Sequence, residues 1–401
     1  MTTGPSARRP TSETVTGSTA MLALATAGFA INFWAWALLG PLGPSLGERL
    51  ALSPTQQSMV VAVPVIVGAL GRIPVGALTD RFGARIMFPV VSLLTILPVL
   101  YLGHVADSYA QVLVGGFFLG LGGTTFAIGI PFVNGWYPPA RRGTALGIFG
   151  AGMGGTAIAA FTTVQLADAV GPSFPFTLVA IVLAVYGVVA AVLLREPAGR
   201  ASPSGSVVRR TATVAQMRAT WELSFLYAVG FGGFVAFSVY LPTYLRTAYD
   251  LSQSDAAMRT AGFVVLAVVA RPIGGWLSDR IHPVPVLAGC FAVVTALAGL
   301  AAFEFPLIPL GTVAFLGMAG ALGASAGACF ALVARLAPAD RVGAVTGFVG
   351  AAGGLGGFFP PLVMGGVFTW LADYSLGYVL LALTAAGAAF YTWFVIRTEA
   401  H

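Results

Sequence analysis

The sequence predicts an all-α integral membrane protein with twelve transmembrane helices in two similar six-helix halves and both termini on the cytoplasmic side. Three observations predict it. The chain is 57% hydrophobic and only 8% charged, with a mean hydropathy of +0.89. Soluble domains carry roughly 25% charged residues, so these charges are too few to cover a water-facing surface. The apolar residues are grouped into twelve stretches, most of them close to the about 20 residues that cross a bilayer. Two separate motifs recur about 200 residues apart, an internal duplication of the kind that places a transport site between repeats.

Taken in order, residues 1–19 are polar, carry no cleavable signal pattern, and read as a disordered cytoplasmic tail. Six spans follow within residues 20–194: Ala20–Pro44, Met59–Leu78, Ile86–Leu102, Val112–Val133, Thr144–Leu166 and Phe174–Leu194. Residues 195–220 are rich in arginine, serine and proline and read as a cytoplasmic linker. The second half, residues 221–396, holds Ser224–Leu245, Ala261–Leu277, Val286–Phe303, Ile308–Leu332, Val345–Leu371 and Leu376–Val395. Residues 397–401 form a second cytoplasmic tail. The orientation follows from the arginines. All 20 basic residues are arginine, and fifteen fall in the tails and the alternate loops assigned to the cytoplasm. Only Arg49, Arg246 and Arg259 fall in the opposite loops, which is the positive-inside pattern. The same placement in short loops argues against nucleic acid as a partner, despite the net charge of +6.

The two remaining arginines lie inside apolar segments. Arg72 stands in GRIPVGALTDRFG and Arg271 in ARPIGGWLSDR. Each is followed by a glycine four residues on (Gly76, Gly275) and by Asp-Arg eight and nine residues on (Asp80-Arg81, Asp279-Arg280), all offset by 199. Eight helical residues rise about 12 Å, which puts both arginines near the midplane when Asp80 and Asp279 mark the membrane edge. A charge there costs at least about 2.5–3.5 kcal/mol and marks a functional site by default. Every Asp and Glu is assigned to a loop, a tail or a helix end, so no midplane carboxylate is expected to pair with either arginine. An anion from outside the chain would fill that role; backbone carbonyls or a water cavity are the alternatives. Guanidinium suits a planar oxyanion because its fork of donors bonds two oxygens at once.

The second repeat joins RRGTALGIFGAGMGG, starting at Arg141, to RVGAVTGFVGAAGG, starting at Arg341. Gly147, Gly150 and Gly154 correspond to Gly347, Gly350 and Gly354 at an offset of 200. Small residues let membrane helices approach closely and let backbone come near a ligand. Plain helix packing and a specialised role in sliding or bending are both open for these segments. Among the aromatics, Phe126, Tyr227 and Phe231 lie at suitable depths to hold a flat anion, with core- or lipid-facing placement as the alternative. Tyr227 and Phe231 are four apart and share a helix face. Cys290 and Cys329 lie in apolar helices and read as buried thiols. There is no nucleophile–base pair, metal-ligand spacing or nucleotide-binding loop, so no enzyme activity, metal or cofactor is expected.

GALTDRFGAR and its second copy GGWLSDRIHPV resemble the loop motif that follows helices two and eight in the major facilitator superfamily. Taken together, GRIPVGALTDRFG, GTALGIFGAGMGGT, ARPIGGWLSDR and VGAVTGFVGAAGGLGGFFPPLVMG resemble the nitrate/nitrite porter family of that superfamily, over nearly the whole chain. The resemblance implies a facilitator fold, a multi-pass place in the cell (inner) membrane, a monomer, and nitrate or nitrite as substrate. It implies Arg72 and Arg271 as the substrate clamp, and Phe126, Tyr227 and Phe231 as its aromatic site. It assigns Gly76, Asp80, Arg81, Gly275, Asp279 and Arg280 to a cytoplasmic gate. One residue departs from the pattern: Met153 stands where the family commonly carries asparagine.

The expected mechanism is rocker-switch alternating access around the two arginines. Nitrate against nitrite, and exchange against proton symport, stay open at this point, although the lack of a midplane Asp, Glu or His favours exchange. A facilitator-type carrier of another small or organic anion, a drug exporter and an anion channel are the other readings.

Overall fold

A computed structural model describes residues 12–197, 212–337 and 342–396. Most of the linker, residues 1–11 of the first tail, the whole C-terminal tail 397–401 and Arg341 of the second repeat lie outside these residues. Within them the chain is helical, with twelve helices long and apolar enough to cross a membrane. They are α1 (Ser18–Arg49), α2 (Pro54–Phe82), α3 (Ala84–His104), α4 (Tyr109–Trp136), α5 (Ala145–Val170), α6 (Phe174–Leu193), α7 (Arg218–Tyr249), α8 (Gln253–Ile281), α9 (Pro283–Ala301), α10 (Leu307–Val333), α11 (Val345–Leu371) and α12 (Ser375–Ile396).

Most of these helices outrun the apolar stretches that predict them, because polar residues at each end continue or cap the helix. Ser53 and Ser108 open α2 and α4 with capping boxes, each completed by a glutamine three residues on. Ser252 caps α8 by accepting from the Asp255 N–H at 3.1 Å. At the start of the chain, helix reaches back to Ser12, so residues 12–19, expected as disordered tail, are helical. No proline interrupts that stretch, and extending an existing helix fixes only one residue per added hydrogen bond.

Large apolar side chains on the outer surface, such as Leu97, Val192, Trp370 and Phe390, are exposed, as a bilayer-facing surface requires. Inside, small residues set the spacing. α8 and α10 interlock through Gly274, Gly323 and Gly327: a Cβ on these would lie 2.0 Å, 2.1 Å and 2.0 Å from the carbonyl oxygens of Ala324, Ala267 and Arg271. The backbones therefore touch where side chains would otherwise hold them apart.

The duplicated sequence does not give duplicated backbones. In the first half α1 turns at Ala37–Leu38, α2 breaks at Gly71, and α4 and α5 tighten into 3₁₀ turns at Gly120–Thr124 and Ala151–Gly154. In the second half α7, α8 and α11 run unbroken.

The loop motif shows the converse, one backbone conformation built from different residues. Gly83, which ends α2, has φ 86° and ψ 160°, a region essentially restricted to glycine. Its counterpart 199 residues on is His282, with φ 78°, whose ring Nδ1 accepts from the Val284 N–H at 3.3 Å. Gly83→Ala is expected to cost about 1–3 kcal/mol, read as a lower midpoint of thermal unfolding of the purified protein.

Candidate functional site

The α2 break at Gly71 falls immediately before Arg72. A Cβ on Gly71 would lie 2.8 Å from Thr124 Cγ2, so the break is also where α2 presses on α4. The 3₁₀ turn of α4 packs into α2 in return: a Cβ on Gly120 would meet Pro64 O at 2.6 Å and Val67 Cβ at 2.5 Å. The tighter turn changes which carbonyls are paired, and the Gly123 carbonyl accepts from Arg72 Nε at 3.3 Å. Arg72 Nη1 crosses to the other half and donates to the Gly350 carbonyl of α11.

Arg271 mirrors this arrangement with different partners. Its Nη2 donates to Tyr227 Oη on α7 at 3.2 Å, and its Nη1 crosses to Met153 Sδ on α5 at 2.9 Å. Arg72 and Arg271 are only 4% and 5% exposed. Neither forms an ion pair among the described residues. The buried carboxylate of Glu222, near the start of α7, is engaged by Arg218 at 2.7 Å and by the Tyr391 hydroxyl at 2.7 Å.

The same two aromatic rings lie beside both guanidinium groups. Arg72 Cζ lies 5.1 Å from the Phe126 ring centroid and 5.6 Å from that of Phe231. Arg271 Cζ lies 6.0 Å and 5.6 Å from the same two rings. Phe126 and Phe231 stack at 6.3 Å, and Phe231 stacks on Tyr227 at 4.9 Å with the planes within 1°. The predicted residues Arg72, Arg271, Phe126, Tyr227 and Phe231 thus form one buried cluster drawn from both halves. Cation–π contacts of this kind contribute about 0.5–2 kcal/mol each and favour guanidinium over other cations.

The glycine-rich helices are arranged crosswise. Gly350 and Gly354 of α11 face α2 and α4: built Cβ atoms would lie 3.1 Å from the Phe126 ring and 3.4 Å from Arg72 Nη1. Gly150 of α5 faces Arg271 Nε at 3.3 Å, and Gly154 faces Val268 of α8 at 3.9 Å. Each arginine therefore lies against the glycine-rich helix of the opposite half. One or two turns further along the same faces, at Gly147 and Gly347, a Cβ would meet nothing within 4 Å. These two predicted glycines are not part of the cluster; they border the part of the seam nearest the Asp80 and Asp279 ends of α2 and α8.

At the opposite face the halves are bonded to one another. Thr55 and Thr369 hydroxyls join α2 to α11 at 2.9 Å, and Gln165 Nε2 joins α5 to Ser254 of α8 at 3.3 Å. Gln253 Nε2 donates to the Pro41 carbonyl of α1 at 2.9 Å, and Arg246 pairs with Glu48. Gly40 and Gly43 bring α1 within van der Waals reach of Val239 and Thr243 on α7. The halves are thus bonded to one another at this face through all four of these helix pairs.

The gate-motif residues stand away from the arginine cluster. Arg81 and Arg280 lie over their own neighbours, Phe82 at 5.2 Å and Trp276 at 4.2 Å. Asp80 is partly buried and Asp279 exposed, while a Cβ built on Gly76 or Gly275 would lie 3.8 Å from Ala127 or 3.9 Å from the Gly327 carbonyl, within their own halves.

Sequence reasoning missed Gly123 and Phe330 as members of the cluster. Arg271 Cζ lies 5.7 Å from the Phe330 centroid, and Phe330 also meets Tyr227 edge-on at 4.8 Å. A signal exists: Gly123-Thr-Thr-Phe126-Ala127 and Gly327-Ala-Cys-Phe330-Ala331 are a third repeat, offset by 204. Met153 was singled out as a departure from a pattern, but its contact with Arg271 had no sequence signal.

The chain matches the Major Facilitator Superfamily over residues 25–361, and again over 247–401. It is 50% identical over 379 residues to a probable nitrate/nitrite transporter, NarK2, of Mycobacterium tuberculosis (strain ATCC 25618 / H37Rv), covering 94% of this chain and 96% of that one. It is 38% identical to the nitrite extrusion protein of Bacillus subtilis (strain 168), covering 91% of each. It is 33% identical to a probable nitrate transporter, NarT, of Staphylococcus carnosus (strain TM300), covering 93% of this chain and 95% of that one. In fold it is similar to a bacterial homologue of the human lysosomal transporter Spinster in an inward-facing and occupied conformation, with a TM-score of 0.73 at 18% identity, covering 95% of this chain and 97% of that one. A twelve-helix membrane architecture, the facilitator match along the chain and this degree of identity to transporters agree: the chain belongs to the nitrate/nitrite porter family of the major facilitator superfamily.

Proposed function

We propose that this transporter carries nitrate and nitrite across the cell membrane by alternating access, with the anion held between Arg72 and Arg271. The observation that carries the reading is the pair of buried arginines that meet over Phe126 and Phe231 without a carboxylate partner among the described residues. Two like charges on one aromatic cluster repel, and an oxyanion between them offsets that repulsion while accepting from both forks. The rings supply flat, apolar walls that suit a small planar anion. The names of the relatives, nitrate/nitrite transporter and nitrite extrusion protein, support the same substrate class.

In this reading the Asp80 and Asp279 ends face the cytoplasm, as the distribution of arginines favours. The bonded face is then the outer one, and the halves are open inward. Rocking about the arginine cluster would separate Glu48 from Arg246 and Thr55 from Thr369, and close the seam at Gly147 and Gly347. The motif residues Asp80, Arg81, Asp279 and Arg280 would rearrange on that inner side. Each cross-half arginine contact links anion binding to the relative position of the halves, because the donors lie on one half and the opposing acceptors on the other.

Moving an anion inward against a negative-inside potential costs about 2.3 kcal/mol per charge per 100 mV. Exchange for an internal anion avoids that cost. The described cluster holds arginines, aromatics and a thioether, with no Asp, Glu or His to carry a proton, which favours exchange. In proteoliposomes, uptake of labelled nitrate is expected to rise several-fold with internal nitrite and to be insensitive to an inward proton gradient. Stimulation by the proton gradient alone would replace exchange with symport, and no nitrate uptake under either condition would reject nitrate as the substrate.

A further inference from the structure

The arginine clamp is chemically lopsided. The acceptor that Arg72 meets across the seam is a peptide carbonyl, Gly350 O, whereas the acceptor that Arg271 meets is the thioether of Met153. A carbonyl oxygen is a strong acceptor with two lone pairs; a thioether sulfur is a weak one and has no donor to offer. Met153 is held firmly in place. It is fully buried in the 3₁₀ turn of α5, and its own carbonyl accepts from Thr156 Oγ1 at 2.9 Å. On either side, Gly152 and Gly155 seat the turn on α1, where built Cβ atoms would lie 2.5 Å from Phe29 and 2.0 Å from Ala30 O. The sulfur therefore sits at a position fixed by the first half and meets an arginine delivered by the second.

We infer that Met153 sets the affinity of the site: its thioether competes with the transported anion for the Nη1 donor of Arg271. Nη1 carries two N–H groups, and an oxyanion that engages the edge of the fork facing the sulfur takes one of them from it. A weak competitor yields to a stronger, charged acceptor, so the sulfur lowers affinity modestly while keeping the buried N–H paired whenever the anion does not hold it. The same exchange speeds release, because the donor passes to a waiting acceptor. The inference rests on the proposed anion site, and it names the residue that tunes that site on the Arg271 side.

Met153→Leu removes the acceptor at nearly constant volume, a change that cores tolerate well. With the purified full-length carrier, nitrate and nitrite binding is measured by titration for the wild type and for Met153→Leu. The variant is expected to bind about fivefold more tightly, the order of one hydrogen bond, with a lower maximal uptake rate in proteoliposomes. A second readout separates competition from packing. The rise in unfolding midpoint on adding the same saturating concentration of nitrate should be larger in Met153→Leu than in the wild type, because binding stabilises by RT ln(1 + L/Kd), where L is the free nitrate concentration. Unchanged or weaker binding in Met153→Leu, or an equal rise in midpoint, overturns the inference while leaving the anion site intact. Failure of the wild type to bind either anion overturns the site and the inference together, so the two failures are told apart by the wild-type titration.

Discussion

Lysine in place of Arg72 or Arg271 is expected to reduce nitrate uptake by about 30- to 100-fold, although the charge is kept. Arg72 uses two separate nitrogens, Nε toward Gly123 O and Nη1 toward Gly350 O, so it ties α2 to α4 and to α11 at once. Arg271 divides Nη1 and Nη2 between Met153 and Tyr227 in the same way. A single ammonium cannot span either pair of acceptors or present a planar fork to two oxygens of an anion. Losing one charge-assisted bond costs about 1.5–3 kcal/mol, and about 2–3 kcal/mol corresponds to the stated range at 1.4 kcal/mol per decade. The rings also lose a guanidinium that lies over Phe126 and Phe231. Uptake near the wild-type rate in both lysine variants, at matched amounts of protein, would remove the arginine clamp from the mechanism.

Gly327→Ala should be the most damaging single methyl group near the site, despite lying on a helix that carries no predicted substrate residue. The added carbon would sit 2.0 Å from the Arg271 carbonyl oxygen and 2.9 Å from the Gly275 nitrogen. Neither atom is at the end of a flexible side chain, so α8 and α10 must separate. Overpacking of this kind costs about 1–3 kcal/mol and displaces backbone. Here the displaced backbone belongs to Arg271, and a shift of about 1 Å in a positioned group costs on the order of 10²-fold in function. The expected result is a lower unfolding midpoint together with uptake reduced at least tenfold per folded molecule. Gly289→Ala is the control, because a Cβ there meets nothing within 4 Å. Equal behaviour of the two variants would mean that α10 does not position Arg271.

These two expectations draw on different kinds of information. Arg72 and Arg271 are visible in the chain because a charge inside an apolar stretch is costly wherever the stretch ends up, and because the duplication offset of 199 marks both. The twelve spans are visible for the same reason: crossing a bilayer imposes a length and a composition on each helix independently of its neighbours. Phe126, Tyr227 and Phe231 are candidates by their depth and by resemblance, and the structure brings all three onto the guanidinium groups.

Other features depend on packing between distant segments. Hydropathy and repeats cannot say that α2 breaks at Gly71, or that a 3₁₀ turn in α4 presents the Gly123 carbonyl to Arg72. They cannot say that each arginine grips the glycine-rich helix of the other half, or that Arg271 finds a sulfur where Arg72 finds a carbonyl. Nor do they reveal that Thr55 bonds to Thr369, and Gln165 to Ser254, across the seam between the halves. The sequence by itself determined a duplicated twelve-span membrane protein with two arginines in its apolar interior, because those properties are local to each segment. The tertiary structure alone decided what the arginines touch and which residues bond the halves together, because a hydrogen bond or a close backbone approach is settled only when segments about 50 to 300 residues apart are packed together.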